Sequence, residues 1–451
     1  MIDRYDIKHL DEYVDLIQSN SKIPLDLYER YNVKRGLRNK DGTGVLVGLT
    51  EIGDVHGYIM EEGDKIPVQG RLRYRGYDVK DLVNGFQRRA RHGFEETAFL
   101  LLFGDIPNEQ DLHDFSIDLG KRRQLPGSFA EDMILKAPSS NIMNKLARSI
   151  LVLYSFDEKA EDNSIGNVLL QSIELIAQFP TIVAYAFQAK QHYFNEKSLY
   201  IHTPLANLST AENLLLMIRP DKKFTPLEAE VLDLALVLHA EHGGGNNSAF
   251  STHVVSSSGT DTYSAISAAV GSLKGPLHGG AAILVRGMME ELMKDVKDWT
   301  DEEEVKIYLK AILNGEKYDK KGLIYGMGHA VYTLSDPRAV LLKSRAGDLS
   351  NEAGRSAEFD LYCLVEKLSQ EVFDEVKNNG KTICANVDFY SGFVYSMLNI
   401  PNELYTPIFA VSRITGWCAH RIEEILSGGR IIRPAYKNVS LKKNYLPLSE
   451  R

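Results

Sequence analysis

The sequence predicts a mainly α-helical protein with a small β element near its N-terminal end. Apolar residues recur at the three- and four-residue spacing of amphipathic helices over most of the 451-residue chain. Between residues 45 and 75 this spacing gives way to short β-type runs punctuated by glycine, which are typical of small hairpins. A chain of this length buries a large core, so it needs neither disulfides nor a metal ion to fold.

Helical spacing is clearest in a set of long segments. These are residues 94–103, 141–155, 164–179, 225–239, 260–273, 279–294, 354–377 and 402–426. Pro180 follows the third segment, and we expect it to begin a new helix at its first turn. Glycine and polar residues gather around 275–280, 314–328 and 379–392, which favours a smaller domain inserted between two parts of a larger one. A cleft between two domains would suit a ligand around which the protein closes.

Composition and charge argue against several classes of protein. The three cysteines, Cys363, Cys384 and Cys418, lack metal-ligand spacing and favour a reducing compartment. The acidic N-terminal segment resembles neither a secretory signal nor an Arg-rich transit peptide, and no apolar run approaches the roughly 18 residues of a membrane span. A net charge of −9 argues against a bulk nucleic-acid binder. We therefore expect a cytoplasmic protein that binds neither membrane nor nucleic acid.

Three glycine-rich stretches each hold one polar residue in apolar surroundings. GPLHGGAA contains His278, IYGMGHAVY contains His329 and NVDFYSG contains Asp388. Glycines beside a functional side chain allow the backbone to approach a ligand closely. Each residue taken singly could be structural, and Asp388 could cap a helix over 389–398. The repetition of one setting three times favours a shared catalytic site.

A fourth stretch, LHAEHGGGNNSAFSTHVV, carries His239, His242 and His253. The first two are three residues apart, whereas the common zinc motif places two histidines four apart with a glutamate between them. We expect the glycine run to end the helix straight after His242. Gly243–Gly245 lacks the Lys and Ser/Thr of a phosphate-binding loop. We therefore expect no metal ion and no cofactor.

Arginines occur close to these stretches, at Arg338, Arg413, Arg430 and Arg433. Solvated surface charge is the simpler interpretation of each one. An arginine fork is nevertheless the natural partner of a carboxylate, because it can bond both oxygens at once. These positions therefore favour an anionic substrate.

The sequence resembles the citrate synthase family. The resemblance rests on HAEHGGGNNSAF, GPLHGGA, GMGHAVYTLSDPR, NVDFYSG and FAVSR, which occur in the family's order, and on RLRYRGYDVKDL and FEETAFLLLFGDIPN. It implies a mainly α homodimer whose subunits have a large domain, residues 1–279 and 398–451, and a small domain, residues 280–397. It also implies an acyltransferase that condenses acetyl-CoA with oxaloacetate and water, giving citrate and CoA in the tricarboxylic acid cycle.

The resemblance also implies a role for each matching residue. Asp388 would remove a proton from the acetyl methyl group, His278 would donate to the thioester oxygen, and His329 would donate to the oxaloacetate carbonyl. The oxaloacetate carboxylates would be held by His242, Arg338, Arg413 and Arg433, the last reaching into the partner subunit's site. The loop of Gly326, Met327 and Gly328 would lie near the adenine of CoA.

The sequence departs from the family pattern in places. Ala282 stands where many members have Asn, which predicts different packing or hydrogen bonding near His278. Ala330 stands where many bacterial members have Arg, which we interpret as subfamily variation. The N-terminal 40 residues match nothing informative and are a candidate helical arm for dimer contacts.

Three different functions are also compatible with the sequence. A 2-methylcitrate synthase would use propionyl-CoA with the same catalytic residues, and one methylene is worth only about 1–3 kcal/mol. We expect acetyl-CoA to be preferred, with some turnover of propionyl-CoA. The second possibility is a non-catalytic ligand-binding relative, and the third is a metallohydrolase built on the clustered histidines.

Overall fold

The structure is a computed structural model that describes residues 9–62, 64–377 and 382–450. It contains two units, one up to Leu49 and one from Thr50 onward. The first unit has helix α1, Leu10–Ser21, helix α2, Leu25–Arg30, and a 3-10 turn at Arg35–Leu37. No residue of α1 or α2 is buried. The helical character expected of the N-terminal 40 residues is confirmed from residue 9 onward, residues 1–8 lie outside the described residues, and a role in dimer contacts stays a prediction.

The second unit begins with a three-stranded antiparallel sheet in the order β1-β2-β3. The strands are β1, Gly53–Glu61, β2, Asp64–Tyr74, and β3, Tyr77–Asp78. Arg75 and Gly76 join β2 to β3 with φ values of 51° and 88°, and positive φ at both central residues is typical of a tight hairpin turn. The predicted β element is therefore a single small meander.

The other regular elements described in the second unit are mostly helices. They are α3 Val79–Gln87, α4 Phe94–Phe103, α5 Glu109–Lys121, α6 Ile142–Leu153, α7 Ile165–Asn195, α8 Thr210–Ile218, α9 Pro226–His239, α10 Asn247–Ser256, α11 Thr262–Lys274, α12 Ala281–Asp295, α13 Glu302–Leu313, α14 Pro337–Glu352, α15 Ser356–Lys377, α16 Val387–Met397 and α17 Tyr405–Leu426. A π-helix spans Ala130–Leu135. The predicted mainly α fold is confirmed.

Helices α7 and α17 form the centre of the core. Helix α17 packs against α4, α7, α9, α10 and α11, and nearly all of its residues up to Ile422 are buried. Helix α7 is long and apolar enough to cross a membrane, but 72% of its most apolar window is buried inside the fold. That burial is what a core helix requires.

Two predicted helix boundaries are wrong. Helix α7 continues through Pro180 instead of ending before it, and Pro180 is buried in the core. An internal proline costs about 3 kcal/mol, and the buried apolar residues on both sides of it offset that cost. Helix α9 ends at His239 rather than His242, so the glycine run comes after a short loop. The predicted domain limits at 279/280 and 397/398 stay predictions.

Candidate active site

The sheet supports the loop that carries His329. A Cβ atom at Gly57 would lie 2.7 Å from the carbonyl oxygen of Val331, and one at Gly70 would overlap the carbonyl oxygen of Ser335. Gly70 N also donates a hydrogen bond to Ser335 Oγ at 3.2 Å. The two strands can approach this loop so closely only because these positions lack side chains.

The backbone fixes the proton of His329 on one ring nitrogen. Val331 N and Tyr332 N donate to His329 Nδ1 at 3.0 and 3.2 Å. A nitrogen that accepts hydrogen bonds carries no proton, so the ring proton lies on Nε2. The ring stacks on Tyr332 at a centroid distance of 4.7 Å and meets the His242 ring edge-on at 5.1 Å. His329 is therefore a neutral donor held in one orientation.

His278 lies in a tight turn just before α12. The turn is tied to α17, because Thr406 Oγ1 donates to the carbonyl oxygen of Gly279 at 2.7 Å. A Cβ atom at Gly279 would lie 2.7 Å from Thr406 Cγ2, so a larger residue would disturb this contact. Burial, followed by the charge of Arg413, lowers the pKa of His278 to about 4. His278 is therefore a neutral imidazole near pH 7.

Ser248 holds the other side of the His278 ring, and sequence reasoning missed it. Its Oγ lies 3.1 Å from His278 Nε2 and accepts a hydrogen bond from Trp417 Nε1 at 3.0 Å. The single hydroxyl proton has two possible acceptors, His278 Nε2 and Asn246 Oδ1, the latter 2.9 Å away. Ser248 is fully buried in α10. Its hydroxyl therefore governs which nitrogen of His278 carries the proton.

Asp388 lies in the first turn of α16. The predicted capping role is wrong, because the N-cap is Asn386, whose Oδ1 accepts from Asp388 N at 3.0 Å. The Asp388 carboxylate has no hydrogen-bond or ion-pair partner among the described residues. Burial raises the pKa of Asp388 to about 6, although Arg338 opposes the shift. This carboxylate is ionised near pH 7 and free to accept a proton.

Arg338 is buried and paired within its own helix turn. Its Nε and Nη2 donate to the two oxygens of Asp336 at 3.0 and 2.7 Å. Asp336 also accepts from Val387 N at 3.2 Å, which ties the start of α14 to the start of α16. Although burial opposes the charge, Asp336 holds the pKa of Arg338 above its usual value. The interpretation of Arg338 as a solvated surface charge is therefore wrong.

Arg413 presents two unpaired nitrogens inside the protein. Its Nε donates to the carbonyl oxygen of His239 at 2.6 Å, whereas Nη1 and Nη2 are buried without a partner among the described residues. His242 Nε2 is likewise buried without a hydrogen-bond partner among the described residues. The guanidinium lies 4.7 Å from the centre of the Phe409 ring, and His278 lies 6.5 Å from that ring. Unpaired buried donors are costly, so this arrangement favours an anionic ligand between them.

The Gly326–Gly328 loop is joined to the chain that leads into α16. Asn386 N donates to Gly326 O at 2.8 Å, Asn386 Nδ2 donates to Gly328 O at 2.9 Å, and Gly328 N donates to Cys384 O at 2.7 Å. Both glycines have positive φ, 80° and 88°. These bonds link the loop before His329 to the helix of Asp388. The predicted contact of Gly326, Met327 and Gly328 with CoA stays a prediction.

Arg433 is the predicted site residue that this chain does not bring to the others. It is exposed in the extended segment after α17 and has no hydrogen-bond or ion-pair partner among the described residues. The neighbouring Ile432 N donates to Ser257 Oγ at 3.0 Å. A role of Arg433 in the partner subunit's site stays a prediction.

The histidines of the fourth stretch separate in space. His239 Nδ1 lies 2.7 Å from the carbonyl oxygen of Ala235, and His242 lies beside His329. His253 instead meets His420 and Glu423, and their possible ligand atoms all lie within 4.8 Å of one another. In the described part of the chain, the three histidines therefore do not form the metal site that their proximity in sequence suggested. The expected absence of a metal ion stays a prediction.

The family model "Citrate synthase, C-terminal domain" matches residues 40–435. The chain belongs to the citrate synthase family. A citrate synthase from Synechocystis is 34% identical over 385 residues, which is 85% of this chain and 88% of the relative. A 2-methylcitrate synthase from Shewanella oneidensis is 32% identical, with 84% of this chain and 92% of the relative covered.

A solved citrate synthase shares the fold. It comes from Thermoplasma acidophilum, in a ternary complex with carboxymethyl coenzyme A and oxaloacetate. The TM-score is 0.73 at 27% identity, with 93% of this chain and 99% of that chain covered. The resemblance found in the sequence is thus confirmed at the level of family and fold, and the protein is an enzyme of the acyltransferase class.

Proposed function

We propose that the protein condenses acetyl-CoA with oxaloacetate and water to give citrate and CoA. The observation that carries this proposal is the protonation of three side chains: one is a carboxylate that can accept a proton, and two are neutral imidazoles that can donate hydrogen bonds. Asp388 is a carboxylate without a partner among the described residues, whereas His278 and His329 are neutral imidazoles in fixed orientations. This set supplies one base and two hydrogen-bond donors, which carbon–carbon bond formation between a thioester and a ketone requires.

Oxaloacetate would occupy the space that Arg413 and His242 face. One carboxylate would accept from the unpaired Nη1 and Nη2 of Arg413, and His242 Nε2 would donate to the same substrate. Arg338 would offer its remaining nitrogen while Asp336 fixes its orientation. The ketone oxygen would then lie against Nε2 of His329, the nitrogen that carries the ring proton.

Proton removal from acetyl-CoA would be the task of Asp388. A thioester α-proton is a weak acid, so the carboxylate succeeds only if the enolate oxygen is stabilised as charge develops on it. In this proposal Ser248 donates to Nε2 of His278, which leaves the proton of His278 on Nδ1. That N–H would donate to the thioester oxygen. A base with a pKa of about 6 matches a reaction near neutral pH.

Bond formation would follow between the two substrates. The enolate carbon attacks the ketone carbon of oxaloacetate, and the new carbon–carbon bond forms as the π bond of the ketone breaks. The ketone oxygen takes the electron pair of that π bond and a proton, which the protonated Asp388 returns through solvent. His329 stabilises the charge on that oxygen as it develops. Water then cleaves the citryl thioester, so that citrate and free CoA leave. Closure of a small domain, residues 280–397, would keep water away until this last step.

The assembly and the setting are part of the same proposal. A homodimer would allow the exposed Arg433 to complete the partner subunit's oxaloacetate site. CoA would lie along the Gly326–Gly328 loop with its adenine near the backbone. The enzyme would work in the cytoplasm without a metal ion or a cofactor.

The test is CoA release measured with a thiol reagent in the presence of oxaloacetate and acetyl-CoA, with citrate identified by mass spectrometry. We expect release only when both substrates are present, and full activity after exhaustive chelation. Binding of oxaloacetate without CoA release would instead indicate a non-catalytic ligand-binding protein. Loss of activity on chelation, restored by a metal ion, would indicate a metal-dependent hydrolase.

The second candidate is 2-methylcitrate synthesis from propionyl-CoA. It is favoured by the Shewanella relative, which is nearly as similar to this chain as the citrate synthase from Synechocystis. The proposed catalytic residues would be the same for both substrates. Only the relative rates with the two thioesters distinguish the two functions.

A further inference from the structure

A buried carboxylate lies behind Arg413, and the proposed mechanism does not use it. Glu241 follows α9 and is completely buried. Two glycines make room for it: a Cβ atom at Gly416 would lie 2.5 Å from Glu241 Oε2, and one at Gly53 would lie 2.7 Å from Oε1. The Cβ atom at Gly416 would also lie 3.5 Å from Arg413 Cδ. The carboxylate and the arginine therefore flank the same glycine, in a medium where opposite charges attract strongly.

Glu241 is engaged by a histidine instead. His420 Nε2 lies 3.0 Å from Glu241 Oε2, and both side chains are completely buried. The other ring nitrogen of His420, Nδ1, lies 3.1 Å from His253 Nε2 and 3.8 Å from Glu423 Oε2. His253 Nδ1 in turn lies 2.7 Å from Glu424 Oε2. A chain of imidazoles and carboxylates thus leads from Arg413 to the partly exposed Glu424.

The spacing of these side chains favours a positive charge between His253 and His420. His253 Nδ1 lies at hydrogen-bond distance from Glu424 Oε2, and His420 Nε2 makes an ion-pair contact with Glu241 Oε2 without an aligned hydrogen bond, so a proton is favoured on each nitrogen. If the rings were neutral, the other two nitrogens would direct lone pairs at each other across 3.1 Å. A third proton between them removes this conflict. Burial alone would lower the pKa of His420, but Glu241 and then Glu423 raise it to about 9, whereas burial and His420 lower the pKa of His253.

We infer that His420 is a positioning residue: as an imidazolium it engages Glu241 and thereby leaves Arg413 free to bind a substrate carboxylate. This inference rests on the proposed function, because it assigns Arg413 to oxaloacetate. Without the charge on His420, Glu241 would be a buried anion whose charge interacts with Arg413, the arginine assigned to the substrate. Arg413 would then form an ion pair with Glu241 and bind the substrate less well. If Arg413 stayed in place, the extra negative charge of Glu241 would weaken the binding of a dianionic substrate.

The other charges around His420 support the same state. Glu423 accepts from Glu51 N at 2.7 Å through Oε1, while Oε2 faces His420. The positive charge of Arg75, at the turn between β2 and β3, interacts favourably with the carboxylates of Glu423 and Glu241. Although burial opposes it, His420 and then Arg413 hold the pKa of Glu241 below its usual value. Glu241 is therefore ionised near pH 7.

The test compares His420→Gln, Glu241→Gln and the double variant with the wild type. We expect His420→Gln to raise the KM for oxaloacetate about tenfold or more, with kcat and the KM for acetyl-CoA close to wild type. The double variant removes both charges, so its KM for oxaloacetate should return toward the wild-type value. A merely structural role predicts no such rescue, because the second substitution would add damage. His202→Gln, a histidine bonded to backbone carbonyls outside this chain of residues, is the matched control.

A second measurement keeps the inference testable if a variant fails to fold. Nitrogen NMR of the wild type at pH 7.5 should show one buried histidine with both ring nitrogens protonated. Wild-type turnover alone reports on the proposed function, whereas the KM ratios and the NMR spectrum report on this inference. A neutral His420, an unrescued double variant, or a KM for oxaloacetate that rises on chelation would each overturn it. A KM that rises on chelation would indicate that a metal ion, and not a proton, lies among His253, His420 and Glu423.

Discussion

The candidate site depends on side chains whose protonation is set by their immediate neighbours. His329 receives two backbone N–H groups and is thereby a donor at Nε2. His278 is kept neutral by burial, and Ser248 governs the position of its proton. The Asp388 carboxylate receives no hydrogen bond among the described residues, so little stabilises its charged form. The catalytic potential of the three lies in these surroundings rather than in their identity.

Asp388 should lower the stability of the folded protein at neutral pH. Its folded pKa, about 6, is higher than the value near 4 expected in the unfolded chain. The penalty is therefore absent below about pH 4 and complete above about pH 6. Asp388→Asn should raise the free energy of unfolding at pH 7.5 by up to about 3 kcal/mol. Urea unfolding at pH 4 and pH 7.5 measures this, and an equal effect at both values would contradict the raised pKa.

Arg413 should contribute mainly to the binding of oxaloacetate. Its two unpaired nitrogens have no other acceptor among the described residues, and a hydrogen bond between charged groups is worth about 1.5–3 kcal/mol. Arg413→Gln should therefore raise the KM for oxaloacetate roughly 10- to 100-fold, with a smaller change in the KM for acetyl-CoA. Arg122→Gln, which removes an arginine paired with Asp118 on α5, is the control. An unchanged KM for oxaloacetate would remove Arg413 from the site.

At the level of elements, helix caps and glycine contacts explain what spacing did not predict. Periodicity found the long helices but missed several that begin at a capping side chain. Those caps are Asp78, Asn108, Ser209, Asn246, Asp301 and Asp336, each of which accepts from a backbone N–H. These cap residues could have been recognised from the sequence, because Asp, Asn and Ser are preferred at N-caps. The contact of the sheet with the His329 loop was not, because it joins residues more than 250 positions apart.

The sheet should matter for catalysis through Gly70. An added methyl group would overlap the carbonyl oxygen of Ser335 and displace the loop that orients His329. Gly70→Ala should therefore lower kcat about 10- to 100-fold, because small displacements of catalytic groups are costly. Gly85→Ala on α3, where a Cβ atom would meet no neighbour within 4 Å, should leave kcat unchanged. Equal kcat values for the two variants would show that the sheet does not position the loop.

For the whole molecule, the family and the mainly α fold predicted from the sequence are confirmed, whereas the roles assigned to the site residues stay predictions. Motifs such as GPLHGGA and NVDFYSG are local, so they remain visible without a structure. Ser248, Asp336 and Glu241 were missed because their roles depend on partners brought in by the fold. Pro180 was misjudged because local propensity gave way to burial in the core. The role proposed for Arg433 depends on a partner subunit, so it stays a prediction.

Acyl specificity tests the proposed function at the scale of the whole enzyme. We expect a higher kcat/KM for acetyl-CoA than for propionyl-CoA, with measurable turnover of both, because one methylene is worth about 1–3 kcal/mol. Steady-state kinetics with saturating oxaloacetate measure the two values side by side. A higher kcat/KM for propionyl-CoA would assign the enzyme to 2-methylcitrate synthesis.

The central claim is that Asp388 is the base of a citrate-forming condensation. The most direct measurement is CoA release from acetyl-CoA and oxaloacetate by the wild type and by Asp388→Asn, with oxaloacetate binding followed by calorimetry. We predict that the variant binds oxaloacetate like the wild type, while its kcat falls about 10²- to 10⁴-fold. A kcat close to the wild-type value would contradict the assignment.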